Sequence, residues 1–314
     1  MSSRHIVKLL ASTILIASRA PAHEETATNA VVEAKETPSY FERLQSDDPN
    51  YFVFALPIEN GTLDDDDVHI EFYLSIKYPV NLWQNNRWWQ PDRVVFIYNG
   101  LYDFYVVESG CYDSSPIISR RQNPGGALEW DLFEQDQLRA GYFHESNGQT
   151  LDSEDGATAY AKEALQGGEE YALSQVSRGW DYFTLRYRHS GGDRWQWTSH
   201  LEFRYFLQRQ GLGSAPKEDD IFWQPGIQSE IQDFDGLRFM YEQQIPDIPF
   251  VGKSSVRLEL KTGTSDFDAF GNFGGKISFT WWKFINIFYF NGYGKEPSTY
   301  HLRTEYAGIG FEFR

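Results

Sequence analysis

Apolar and polar positions alternate with a period of two along most of the chain, the signature of strands with one greasy and one polar face. In Ile70, Phe72, Leu74, Ile76 and Tyr78 the even positions are apolar, with Glu71, Tyr73, Ser75 and Lys77 between them. In Trp195, Trp197, Ser199, Leu201, Phe203, Tyr205 and Leu207 the odd positions form the greasy row, opposed by Gln196, Thr198, His200, Glu202 and Arg204. The same alternation recurs at Leu237, Phe239, Tyr241, at Val256, Leu258, Leu260, at Ile277, Phe279, Trp281, and at Ala307, Ile309, Phe311, Phe313.

Periodicity alone fits a soluble sandwich or a transmembrane barrel, because either can bury one face and wet the other. Segment length favours the barrel, since spanning strands need about 9–11 residues and several segments reach that. Counting them gives ten to twelve strands. The sequence predicts an all-β, antiparallel transmembrane β-barrel of about twelve strands over residues 68–314, closed so that no strand edge meets lipid. Residues 23–67 read as a polar segment ahead of it, ending in the run Asp64 to Asp67, a solvated turn before the first strand, Val68 to Val80. Residues 150–176 and 208–234 are long polar insertions, the first with a short helical stretch from Ala157 to Leu165.

Composition agrees with this class. Aromatic residues make up 17% of the chain, ten of them Trp, while the mean hydropathy is −0.53, as expected where aromatic girdles surround a polar interior. Residues 1–22 carry Arg4 and Lys8, an apolar run from Leu9 to Ala17 and then Ala20-Pro21-Ala22, the three parts of a secretory signal cleaved after Ala22. That run is far short of the roughly 20 residues of a spanning helix. With one cysteine, Cys111, an internal disulfide framework is excluded. A net charge of −17 makes nucleic acid a poor partner.

The chemistry lies in two predicted strands, 137–149 and 177–189. In the first, Leu138, Ala140, Tyr142, His144 and Ser146 share one parity, so a polar pair ends a lipid-facing row. In the second, Asp181, Phe183, Leu185 and Tyr187 form the outward row and Thr184, Arg186 and Arg188 the inward one. Adjacent antiparallel strands bring facing side chains to about 5 Å, so His144 is expected between Ser146 and Asp181. A serine hydroxyl needs a base to take its proton, and the imidazole needs a fixed acceptor to hold its tautomer. A His-x-Ser pair alone is surface decoration in most chains; the shared parity of three groups raises its weight.

His144-Glu145-Ser146-Asn147-Gly148-Gln149 followed by Ser177-Arg178-Gly179-Trp180-Asp181 resembles the outer-membrane phospholipase A family of Gram-negative bacteria, whose pattern is His-x-Ser-Asn-Gly and then Ser-Arg-Ser-Trp-Asn. Asp48-Pro49-Asn50-Tyr51, Asp113-Ser114-Ser115-Pro116 and Asn291-Gly292-Tyr293-Gly294-Lys295 are also similar to segments of that family, so the resemblance covers roughly residues 45–314. It implies an outer-membrane enzyme that hydrolyses acyl esters of phospholipids and lysophospholipids, with A1 and A2 activity. Ser146 is then the nucleophile, His144 the general base, and Asp181 stands where the family usually has Asn. The Gly148 amide donates to the oxyanion. The family's calcium ion sits at a homodimer interface; the matching ligands here are the Gln149 carbonyl and Ser177 hydroxyl of one subunit and Ser114 of the other.

Four features depart from the pattern: the insertion from Thr150 to Val176, Gly179 in place of a serine, the carboxylate at 181, and an end at Phe313-Arg314 where such barrels commonly finish on an aromatic residue, so that Phe313, one place in, is expected to serve in assembly. The alternative left open by the sequence is a porin-like or structural outer-membrane barrel that has no catalytic activity.

Overall fold

The structure, a computed structural model, describes residues 44–60, 68–81, 89–105, 117–147, 179–207, 231–249, 252–264, 272–295, 297, 300 and 302–314. Twelve strands follow one another: β1 (Asn50–Asn60), β2 (His69–Val80), β3 (Arg93–Tyr105), β4 (Ile117–Phe133), β5 (Asp136–Ser146), β6 (Gly179–Gly191), β7 (Trp197–Phe206), β8 (Leu237–Ile248), β9 (Gly252–Thr262), β10 (Gly274–Trp281), β11 (Ile285–Gly292) and β12 (Thr304–Phe313). Each pairs antiparallel with its neighbours in sequence, and β1 pairs with β12 to close the barrel. This is the predicted fold class.

The barrel takes in residues ahead of Val68, where the alternation places its start. In β1 the outward row Phe52, Phe54, Leu56, Ile58 is apolar, but the inward row is Tyr51, Val53 and Ala55 rather than polar. Alternation is invisible where both faces are apolar, so this strand is silent to a period-two reading. Its inward residues pack with Phe288, Phe290 and Tyr306. At the closing seam Gly310 faces Val53, and a Cβ there would strike the backbone of Phe52 and Val53.

Elsewhere the parity rule holds side by side with burial. Outward residues such as Phe183, Leu185, Leu201, Phe203, Tyr205, Phe239, Ile277, Ile287 and Phe311 are exposed, forming the apolar surface that lipid requires. Inward charges are buried and paired. Glu129 takes Lys77 at 3.1 Å, Arg93 at 2.7 Å and Arg139 at 2.6 Å; Glu202 lies 2.5 Å from Arg186 and 2.6 Å from Arg204; Arg257 bridges Glu242 at 3.2 Å and Glu312 at 2.6 Å. Removing one partner of such a pair strands the other charge away from water, so the lattice fixes strand register more than it adds stability.

The segment before β1 enters this lattice. Gln45 forms a β-bridge with Lys77, and the Asp47 carboxylate accepts from Arg139 at 2.7 and 2.5 Å and from Arg186 at 3.3 Å. Burial pushes the Asp47 carboxyl up, but Arg139, Arg186 and Lys77 outweigh it and hold it well below the usual carboxylate range.

The ends of β4, β6, β8 and β10 and the starts of β5, β7, β9 and β11, with at most five residues of sequence between them, lie at one end of the barrel with the start of β1 and the end of β12. The ends of β3, β5, β7 and β11 and the starts of β4, β6, β8 and β12, with eleven or more residues of sequence between them, lie at the other, the long-loop end. In bacterial barrels short turns face the periplasm and long loops the outside. β5 ends, and β6 begins, at the long-loop end.

Candidate active site

Full pairing of β5 with β6 sets the site. Tyr142 faces Phe183, His144 faces Asp181, and Ser146 faces Gly179, all on the outer surface. Parity is fixed by what points inward: Arg139, Phe143 and Glu145 are each about 5% exposed and belong to the interior. The His144 Nδ1 lies 2.9 Å from the Asp181 Oδ1. The histidine side chain is 42% exposed and the aspartate side chain 2%. An acceptor so placed holds the ring with Nδ1–H toward the carboxylate, leaving Nε2 free to act as a base.

Ser146 is two residues from His144 on the same face, at the last position of β5. The space opposite it depends on Gly179. A Cβ on Gly179 would lie 3.1 Å from the Ser146 Cβ, 3.1 Å from the Glu145 carbonyl oxygen and 3.5 Å from the His144 Cε1. The glycine where the family pattern has serine therefore leaves room beside the hydroxyl and imidazole.

The backbone carrying these groups is pinned from inside the barrel. Glu145, between the two, forms ion pairs with Arg121 at 3.0 Å and Arg204 at 3.5 Å. Asn123 of β4 donates to the His144 carbonyl at 3.2 Å and to the Tyr182 hydroxyl at 2.8 Å. Phe143 stacks on Tyr182 with ring centres 5.9 Å apart, and Phe206, Trp180 and Val95 join the same buried cluster. Rigid apolar packing beneath a polar pair is what keeps catalytic geometry in register.

Asn123 and Glu145 escaped the sequence reading. Glu145 carries a signal in hindsight, since it is an inward acid flanked by two outward polar groups. Asn123 carries none, because β4 reads Arg120-Arg121-Gln122-Asn123-Pro124-Gly125-Gly126, polar or small at both parities.

Of the predicted site residues, the structure brings His144 and Asp181 into contact and sets Ser146 two residues along the same face of β5. Gly148, Gln149, Ser177 and Ser114 lie outside the described residues, as do the signal segment, Cys111 and the insertion 150–176. Ser146 faces Gly179; in sequence, Gln149 follows Ser146 by three residues and Ser177 precedes Gly179 by two. Their oxygen-only donor set, with Ser114, suits a hard cation such as calcium.

Among the described residues one group of metal-ligand type gathers elsewhere, His69, Glu71 and Asp103 inside the barrel. Cations already occupy it: Lys295 Nζ is 2.8 Å from His69 Nε2 and 3.6 Å from Asp103, and Lys276 is 3.7 Å from Glu71. Tyr51 and Tyr306 also donate to Glu71. It belongs to the interior charge lattice.

No family model and no curated protein sequence matches this chain. Solved structures do. Outer membrane phospholipase A from Escherichia coli superposes with a TM-score of 0.60 at 16% identity, over 89% of this chain and 95% of that one. An active-site mutant of that protein at pH 6.1 gives the same values. The dimer of the Salmonella typhi outer membrane phospholipase with bound calcium superposes with a TM-score of 0.56 at 14% identity, over 86% and 92%. At such identity the likeness is one of fold, and it makes this chain a twelve-stranded barrel of the outer-membrane type.

Proposed function

We propose that this protein is a calcium-dependent outer-membrane phospholipase that hydrolyses the acyl esters of phospholipids and lysophospholipids, A1 and A2 alike. The observation that carries the reading is the His144–Asp181 pair on the outer barrel surface, 2.9 Å across adjacent strands, with Ser146 two residues along and Gly179 opposite. A soluble hydrolase would bury this constellation in a cleft. Here it faces the lipid side of the wall, where acyl chains lie against the exposed row Phe183, Leu185 and Tyr187.

In this reading the His144 Nε2 takes the Ser146 proton as the hydroxyl attacks the ester carbonyl. Asp181 stabilises the imidazolium that results, and the proton then passes to the departing alcohol. Water deacylates the serine by the same base. The Gly148 amide is assigned to the oxyanion. Calcium, held by Gln149 and Ser177 with Ser114 of a second copy, would supply Lewis-acid polarisation of the carbonyl, which makes the active form a homodimer.

The porin-like alternative is opposed by the described interior, where buried ion pairs join Arg139 to Asp47 and Arg257 to Glu312 between non-adjacent segments around a cavity of about 230 Å³. A long-chain fluorophosphonate tests the nucleophile: mass spectrometry should find one adduct, on Ser146, and none in Ser146→Ala. An adduct elsewhere, or an equal one in the variant, overturns the assignment.

A further inference from the structure

The outer face next to Ser146 carries a charge that the triad does not use. β4 is the other neighbour of β5, and its Gln122 faces Ser146. Arg121 pairs with Glu145 inside the barrel and Asn123 is buried there, so Arg120 and Gln122 have the outward parity. Among the described outer-facing positions of β3, β4, β5 and β6, Arg120 is the sole arginine or lysine. A cation on the lipid face is costly at the bilayer centre and nearly free at the headgroup level. Arg120 stands close to the long-loop end of β4, at that level.

Its neighbour on β3 leaves it open. Tyr102 faces Arg120, but its ring lies over Gly100, where a Cβ would come within 2.7 Å of the ring, and its hydroxyl is 2.5 Å from that of Tyr98. The tyrosine ring therefore leans back along β3 toward Gly100 and Tyr98. The Arg120 Nε–H is buried without a hydrogen-bond partner among the described residues, one donor that lacks an acceptor.

The displacement from Ser146 has the right direction and size. Arg120 is one strand over and two residues nearer the long-loop end, which places its Cα roughly 8 Å from that of Ser146. A glycerophospholipid in the outer leaflet, with an acyl ester on Ser146, carries its phosphate a glycerol unit further out in that same direction. Guanidinium binds phosphate through paired, charge-assisted hydrogen bonds.

We propose that Arg120, with Gln122 beside it, forms a subsite for the phosphodiester group of the bound lipid and sets specificity for phospholipids over uncharged esters. The proposal rests on the phospholipase reading for its consequence in turnover, and its test includes a binding arm that needs no turnover. Hexadecylphosphocholine, a phosphodiester without an acyl ester, is titrated into the purified full-length protein in dodecylmaltoside micelles. Arg120→Gln should weaken its binding about tenfold, the loss of one charge-assisted interaction, and Arg120→Lys should recover part of it. In the turnover arm, the ratio of kcat/KM for lysophosphatidylcholine to that for a monoacylglycerol of the same chain should fall about tenfold in Arg120→Gln by the same reasoning. A merely structural defect would lower both substrates together and leave the ratio alone. Equal probe affinity in wild type and Arg120→Gln, or an unchanged ratio, overturns the subsite. If the probe binds through Arg120 and wild type releases no fatty acid, the subsite stands and the hydrolase reading falls.

Discussion

His144 and Asp181 are a directly facing cross-strand pair of β5 and β6, and their side chains meet at 2.9 Å on the outer wall of the barrel. Because facing positions are fixed by register, this contact is set by the same pairing that puts Gly179 opposite Ser146. A slip of one residue would turn Asp181 into the interior and break its contact with His144.

The first prediction concerns that group. Asp181→Ala should lower kcat by about 10²-fold, the lower range for loss of acid–base positioning. Asp181→Asn should cost far less, since its amide oxygen still accepts from Nδ1–H. Initial rates of fatty-acid release give the comparison. If Asn proves as damaging as Ala, Asp181 does not act as an orienter.

Gly179 supplies a steric test. An added side chain begins 3.1 Å from the Ser146 Cβ, and overpacking of this kind costs about 1–3 kcal/mol. Gly179→Val should therefore lower kcat more than Gly179→Ala, while both retain the mobility shift on heating that marks a folded barrel in gel electrophoresis. Equal activity in glycine and valine forms would show that the groove beside Ser146 is wider than described.

Glu145 tests the inner support. Glu145→Ala strands Arg121 and Arg204 without one of their acids, and breaking a buried pair in this way costs about 3–5 kcal/mol. Guanidinium unfolding in detergent should show the loss, and Glu145→Gln, which keeps a polar partner, should lose less. A midpoint unmoved in the alanine variant would contradict the pinning role.

The N-terminal segment makes a prediction about permeability. Asp47 ties Arg139, Arg186 and Lys77 together across the lumen. Asp47→Ala should loosen residues 44–49 and raise conductance in planar bilayers, with preference for anions because three cations lose their shared counter-charge. Conductance equal to wild type would mean that the interior is closed without this segment.

How much of this was legible in the sequence depends on the strand. β7 announces itself because Leu201, Phe203 and Tyr205 alternate with His200, Glu202 and Arg204, and β12 because Ala307, Ile309, Phe311 and Phe313 alternate with Gly308, Gly310 and Glu312. β1 does not, since Val53 and Ala55 face inward as apolar groups, and β4 does not, since glycine, proline and polar residues occupy both its faces. The pairing of His144 with Asp181 could be anticipated because parity on two strands decides it, and both strands alternate. Arg120, Gln122 and Asn123 reach the site from β4, whose register no pattern in the chain discloses. Gly179 was visible as a departure from the family pattern, but its steric meaning appears only once Ser146 is seen opposite it.

The central claim is that Ser146 is the nucleophile of a calcium-dependent lipid esterase. Fatty-acid release from phospholipid and detergent mixed micelles, measured with calcium and with chelator for wild type and Ser146→Ala, tests it most directly. Wild type should release fatty acid with calcium and stop with chelator, and Ser146→Ala should release none under either condition while keeping its heat-dependent mobility shift. Release by Ser146→Ala, or none by folded wild type with calcium, would contradict it.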